Sequence, residues 1–264
     1  MTATDKDILT AKLFFNAAFP VMQVLLDDDQ KLNKMFKKVK KTVQFGARNN
    51  DEILACHMAF NDGKVDVIQG IAENPDLCLT FPTVQKMNAL LKGGLAMPSI
   101  KGGLKNLSLL VKTLALLMGL MKMSPKNNPD DFEGKALKIK MSLYMITRAL
   151  STYNKLGVPE MVDFTSRQPD RIYQFTVEHE GKPDYIACYL RIKAGKTKSG
   201  HGVYTRRFPF VHFKFLSVDG AIAVLGKQVE FVEGVEKGYV ETIGSPEYAC
   251  MLNDFMAVLQ AMLT

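Results

Sequence analysis

An internal echo constrains this chain more than any other feature. Ile53-Leu54-Ala55-Cys56-His57-Met58 is met again as Tyr185-Ile186-Ala187-Cys188-Tyr189-Leu190, an offset of 132. At that offset Gly63-Lys64 falls on Gly195-Lys196, and Gly70 on Gly202. Further along, Phe81, Val84, Ala89 and Leu91 fall on Phe215, Val218, Ala223 and Leu225 at an offset of 134. Upstream, Val43-Gln44-Phe45 falls on Tyr173-Gln174-Phe175 at 130. The offset changes in two places only. One is residues 47–51 against 177–184, where Asn49-Asn50-Asp51 and Gly181-Lys182-Pro183 both signal turns; the other is 72–75 against 204–209. Insertions confined to turns are what two copies of one fold display. The expectation is one α+β domain twice in tandem: residues 1–124, a linker over 125–134, and residues 135–264.

Each half reads helix, strands, short helix, strand, last helix. Residues 8–26 carry Leu13, Phe14, Val21 and Leu25 at helical spacing, and Pro20 kinks or breaks that helix. The Asp27-Asp28-Asp29 run offers a cap for a helix over 31–41, with Leu32, Met35, Phe36 and Val39 on one face. Strands are predicted over 42–47, 53–60, 64–69 and 76–81, with Asn61-Asp62-Gly63 as a hairpin turn. Thr83 caps a helix over 84–91 that Gly93-Gly94 ends. A strand over 95–100 and a helix over 104–123 complete the half. The second half offers a helix over 136–156, strands over 171–176, 185–192, 197–203 and 209–215, a helix over 218–225 capped by Ser217, a strand over 237–243 and a helix over 245–263. Ser124-Pro125-Lys126-Asn127-Asn128-Pro129-Asp130-Asp131 reads as a polar linker.

Composition narrows the function classes. Of 264 residues, 47% are hydrophobic and 23% charged, the profile of a folded chain. Residues 104–123 are the most apolar stretch, but Lys105 and Lys112 interrupt it, so a buried helix is expected there and not a membrane span. Cys56, Cys78, Cys188 and Cys250 form no CxxC pair and sit in apolar contexts, which favours free thiols and a reducing, cytoplasmic setting. The chain opens on polar residues without a signal peptide pattern.

No catalytic pattern stands out. His57, His179, His201 and His212 show neither HExxH nor zinc spacing, and GxSxG, P-loop and GxGxxG are absent. Neither a catalytic residue, a metal ligand set nor a cofactor is expected, and Asp27–Asp29 reads as capping and solvation. Net charge is +7 with pI near 9.1, which suits an anionic partner. Lys34, Lys37, Lys38 and Lys41 would share one face of the 31–41 helix and could meet an anionic membrane surface. Aromatic residues are not interleaved with that charge, so no nucleic acid partner is expected.

Several of these segments resemble the sterol carrier protein-2 family. They are the Asn61-Asp62-Gly63 hairpin turn, Asn74-Pro75-Asp76 leading into an apolar strand, and the short helix after Thr83. In the second half, Gly238-Tyr239-Val240-Glu241-Thr242-Ile243-Gly244-Ser245-Pro246-Glu247 is similar to the family's glycine-bounded strand running into its last helix. The resemblance covers about 42–121 and 171–263. It departs at Gly102-Gly103, in the second half's lack of Asn-Pro-Asp, and in the tandem arrangement itself.

The resemblance implies a roughly five-stranded twisted sheet in each half, covered on one face by helices, with an apolar tunnel between sheet and helices. It also implies non-catalytic binding or transfer of a fatty acyl, phospholipid or sterol-like ligand. The tunnel walls would be Phe81, Leu90, Leu107, Leu110, Val111 and Leu114 in the first half, and Phe213, Phe215, Ile222, Leu252, Phe255 and Leu259 in the second. The 15 methionines, clustered at Met118, Met121 and Met123 and at Met251, Met256 and Met262, suit a surface accepting varied apolar shapes. The other reading is an interaction module with collapsed cavities and no ligand.

Overall fold

The computed structural model describes residues 3–263. The chain is α+β and divides into two units, one running to Lys122 and taking in Leu263, the other Met123–Met262.

In the first unit, α1 (Asp5–Leu13) continues through a π-helical turn (Phe14–Ala18) and a 3-10 turn (Phe19–Val21) into α2 (Met22–Asp28). The Phe19 N–H bonds back to Phe14, a five-residue step. That widened turn lies beside Pro20, which has no N–H to donate, so the axis bends without breaking. The run Asp5–Asp28 is long and apolar enough to cross a membrane, but 67% of its apolar window is buried inside the protein.

A five-stranded mixed sheet follows: β1 (Lys40–Asn49), β2 (Glu52–Asn61), β3 (Lys64–Gln69), β4 (Leu77–Phe81) and β5 (Ser99–Lys101), in the order β3-β2-β1-β4-β5. Only β1 and β4 run parallel. α3 (Gln30–Phe36) precedes the sheet, α4 (Val84–Leu91) links β4 to β5, and α5 (Leu107–Leu120) closes the unit. The rings of Phe15, Phe19, Phe45 and Phe81 meet at centroid distances of 5.2–6.4 Å, and all four are fully buried. Such edge and tilted contacts fill the layer between sheet and helices.

The second unit opens on α6 (Phe132–Lys155) and α7 (Pro159–Ser166). Its sheet contains β6 (Arg171–His179), β7 (Lys182–Lys193), β8 (Lys196–His201), β9 (Val211–Phe215) and β10 (Val240–Gly244). Their order, β8-β7-β6-β9-β10, is that of the first sheet, and again only the first and fourth strands run parallel. α8 (Val218–Leu225), α9 (Phe231–Glu236) and α10 (Pro246–Leu263) complete it.

Hydrogen bonds recur at corresponding positions. The Gln44 side chain accepts from Ala72 N at 3.0 Å, and Gln174 from Tyr204 N at 3.0 Å. Gly70 N donates to Ala55 O, and Gly202 N to Ala187 O. Thr83 caps α4 as Ser217 caps α8. Gly102 and Gly244 both take positive φ, and a Cβ on either would collide with a carbonyl oxygen, that of Asp76 or Phe210.

Several expectations need correction. The lysine helix ends at Phe36, because β1 pairing begins at Lys40 against Asn61 and pulls the chain into strand. Lys34 is helical, Lys37 and Lys38 lie in a turn and Lys41 is in a strand, so no four-lysine helical face forms. The strand expected over 95–100 shrinks to Ser99–Lys101, held off by Gly93-Gly94 and Pro98. The helix expected over 104–123 is α-helical only over Leu107–Leu120, and it is not simply buried: one face packs on α2 and α3 while the other is exposed. α7 and α9 fall where no element was expected. The polar linker is tied to α6. The buried amine of Lys138 donates to the Ser124 carbonyl at 3.1 Å, to the Asn127 carbonyl and to Asn128 Oδ1 at 3.3 Å.

Candidate functional site

Alternation along a strand sends β1 residues Val43, Phe45 and Ala47 toward the helices and Gln44, Gly46 and Arg48 to the opposite face. Register extends that outer face sideways. Gln44 lies beside Cys78 and Cys78 beside Lys101; Gly46 lies beside Thr80 and Thr80 beside Ser99; Arg48 is paired with Ile53. Cys78, Thr80 and Ser99 in this patch are small and border a depression. Gly46 must be small, because a Cβ there would sit 2.6 Å from the Leu54 oxygen and 2.7 Å from the Ala55 Cβ.

The depression is a groove of about 500 Å³, bounded by Gln44, Arg48, Ile53, Cys78, Thr80, Phe81, Pro82, Met97, Pro98, Ser99 and Lys101. Its size falls in the usual range for small-molecule sites, roughly 300–1,000 Å³. The segment joining α4 to β5 supplies a raised apolar wall through Met97 and Pro98. Among the bounding residues the charged ones are cations, Arg48 and Lys101, set near opposite corners. Arg48 lies four residue steps beyond Gln44, about 13 Å along the strand. Burial pushes the Cys78 thiol pKa up, and nearby Lys101 pulls it back. Cys78 is therefore a thiol at rest and not an activated nucleophile. The arrangement can hold an elongated molecule with an apolar body and an anionic end. It offers no general base aligned with a nucleophile.

The tunnel expected beneath the helices is not where this cavity lies. Of the predicted walls, Phe81, Phe213, Phe215, Leu252 and Leu259 are close-packed core, Phe213 stacking on Phe175 at 4.9 Å, and Ile222 is also buried. Leu90, Leu110 and Phe255 are half-buried. Leu107, Val111 and Leu114 face outward, 62%, 55% and 44% exposed. Phe81 alone of the twelve borders the groove. Of the four lysines, all are exposed, and Lys41 pairs with Asp76 at 2.6 Å.

Sequence reasoning missed Arg48, Lys101, Thr80 and Ser99 because it sought apolar walls. The usable signal was a set of small outward residues on adjacent strands: Cys78, Thr80 and Ser99. The second unit's outer face is filled differently. Thr176 Oγ1 lies 2.8 Å from His212 Nε2, and Lys214 reaches Glu178 at 3.5 Å and Glu241 at 4.0 Å. On its helix-facing side, Arg171 lies between the rings of Phe210 and Tyr248, with Nη1 buried and without an acceptor. No group of three or more His, Cys, Asp or Glu is placed to hold a metal among the described residues.

No protein-family model matches the chain, and no curated protein matches it. Among solved structures, palmitated SCP2L2 from Aedes aegypti aligns over 42% of this chain and 90% of its own, at 16% identity and a TM-score of 0.30. A double mutant of the sec-alkyl sulfatase PisA1 aligns over 64% of this chain at 12% identity and a TM-score of 0.27. The stereoselective inverting sec-alkylsulfatase Pisa1 from Pseudomonas sp. aligns over 63%, at 12% identity and a TM-score of 0.25. This chain spans 31% of each sulfatase's length.

Proposed function

We propose that this chain binds an acyl-chain amphiphile with an anionic end and does no chemistry on it. One observation carries the reading: the groove over the first sheet joins an apolar wall to two cations at its corners, with no carboxylate among its bounding residues. Apolar burial supplies affinity in proportion to chain length, at roughly 25 cal/mol per Å². A charge-assisted bond to Arg48 or Lys101 fixes which end lies where. The ligand lies on the open face of the sheet and not under the helices.

We also read the chain as a duplicated sterol-carrier-like domain. The shared strand order and the paired hydrogen bonds of Gln44 and Gln174 support that reading. The copies have diverged on the outer face, where the second carries paired charges in place of small residues. Cys56 and Cys188 are buried free thiols, which suits a reducing, cytoplasmic setting.

The test compares palmitate with hexadecanol, each displacing a fluorescent fatty acid. Arg48→Gln with Lys101→Gln should weaken palmitate by at least about tenfold, since hydrogen bonds to charged groups contribute about 1.5–3 kcal/mol each. Hexadecanol binding should be unchanged. No binding of either, or equal loss of both, would refute the reading.

A further inference from the structure

We propose that the outward face of α5, with the residues just before it, docks on an anionic lipid bilayer. On α5 the residues Leu107, Val111, Leu114 and Met118 recur at helical spacing and lie 44–73% exposed. The opposite face, Leu109, Thr113, Leu116, Gly119 and Leu120, is buried. A Cβ on Gly119 would sit 2.7 Å from Leu25 Cδ1, so α5 is seated tightly by that inner face and its outer face is left over. A helix with apolar residues on both faces normally hides both. Leu104, three residues before the helix, is also exposed. An exposed apolar stripe of this kind marks a docking surface.

Charge decides the occupant. Between Asp76 and Lys122 the chain contains no Asp or Glu, while Lys86, Lys92, Lys101, Lys105 and Lys112 lie in that stretch. Lys101, Lys105 and Lys112 form no ion pair among the described residues. Lys105 precedes α5 and Lys112 flanks its stripe, where long stems can lie along apolar surface with the amines raised. α3 packs beside α5 and adds exposed Lys31 and Lys34. Asp27, near the end of α2, and Asp29, the cap of α3, are paired with Lys64 and Lys122, so the lysines rimming the apolar stripe fit phospholipid headgroups of negative charge above acyl chains. A second copy of this face would repel its own lysines.

The experiment is co-sedimentation of the full chain with phosphatidylcholine vesicles, with and without phosphatidylserine. The chain should pellet with the anionic vesicles, less so in high salt. Each lysine near the surface should change partitioning by about fivefold. Val111→Glu with Leu114→Glu, both exposed and therefore tolerated by the fold, should lower binding at least about tenfold. Val162→Glu on exposed α7 should leave it unchanged. The chain contains no tryptophan, so Met118→Trp gives an independent readout whose emission should shift to the blue on anionic vesicles. Failure to pellet, unchanged binding of the double variant or unshifted emission would overturn the proposal. So would a dimer in solution that Val111→Glu and Leu114→Glu convert to a monomer.

Discussion

Two tight hairpin turns share one backbone and one glycine but differ at the residue before it. Asp62-Gly63 and Ala194-Gly195 both place two successive residues at positive φ. Asp tolerates that region through its own side chain, whereas Ala has no such compensation. Ala194→Asn should therefore raise unfolding free energy by about 0.5–1 kcal/mol, read as a higher urea midpoint at unchanged slope. A loss of stability would contradict the assignment of that turn. His212 carries a second residue-scale prediction. Burial depresses its pKa, Lys214 adds to the effect and Glu241 opposes it. The folded state thus prefers the neutral ring, while the unfolded chain takes up a proton near the ordinary value of about 6.5. Its contribution to stability is complete above that value and is lost as pH falls from there through the depressed folded pKa. The melting temperature should fall on going from pH 7 toward 5, and His212→Gln should shrink that fall. An identical pH profile in the variant would show that other groups titrate there.

Elements with local chemistry were legible in the sequence. Thr83 and Ser217 announce α4 and α8 because a hydroxyl acceptor before an apolar run satisfies the first free N–H groups. Elements decided by partners were not. Lys37–Lys41 has good helix formers, but strand pairing with Asn61 and Phe60 overrides that preference. α9 went unforeseen because Val229–Gly238 mixes charge and glycine without a clean period. The linker makes the same point. Its prolines and amides read as a polar linker, and the Lys138 amine binds its carbonyls from nearly two helical turns inside α6. Burial lowers the Lys138 pKa, consistent with partners that are neutral carbonyls and an amide. Lys138→Met should free residues 124–130, seen as faster limited proteolysis after Lys126 with little change elsewhere. Equal cleavage rates would mean that another contact holds the segment.

At the scale of the whole molecule, two units share a strand order that the offset pattern anticipated. The site was harder to foresee. The expected tunnel walls lie on the helix-facing side, where in the first unit the Phe15, Phe19, Phe45 and Phe81 rings meet. The groove lies on the other face, where Cys78, Thr80 and Ser99 sit between Arg48 and Lys101 beside Met97 and Pro98. Which residues of β1, β4 and β5 share that face is a register property, invisible until pairing is known. The decisive measurement is photo-crosslinking with a fatty acid carrying a diazirine along its chain, followed by peptide mapping. Adducts should fall on Ile53 and on the Met97–Pro98 segment, and excess palmitate should abolish them. Competable adducts on Leu90, Leu110 or Leu252 would instead put the ligand under the helices and contradict the account.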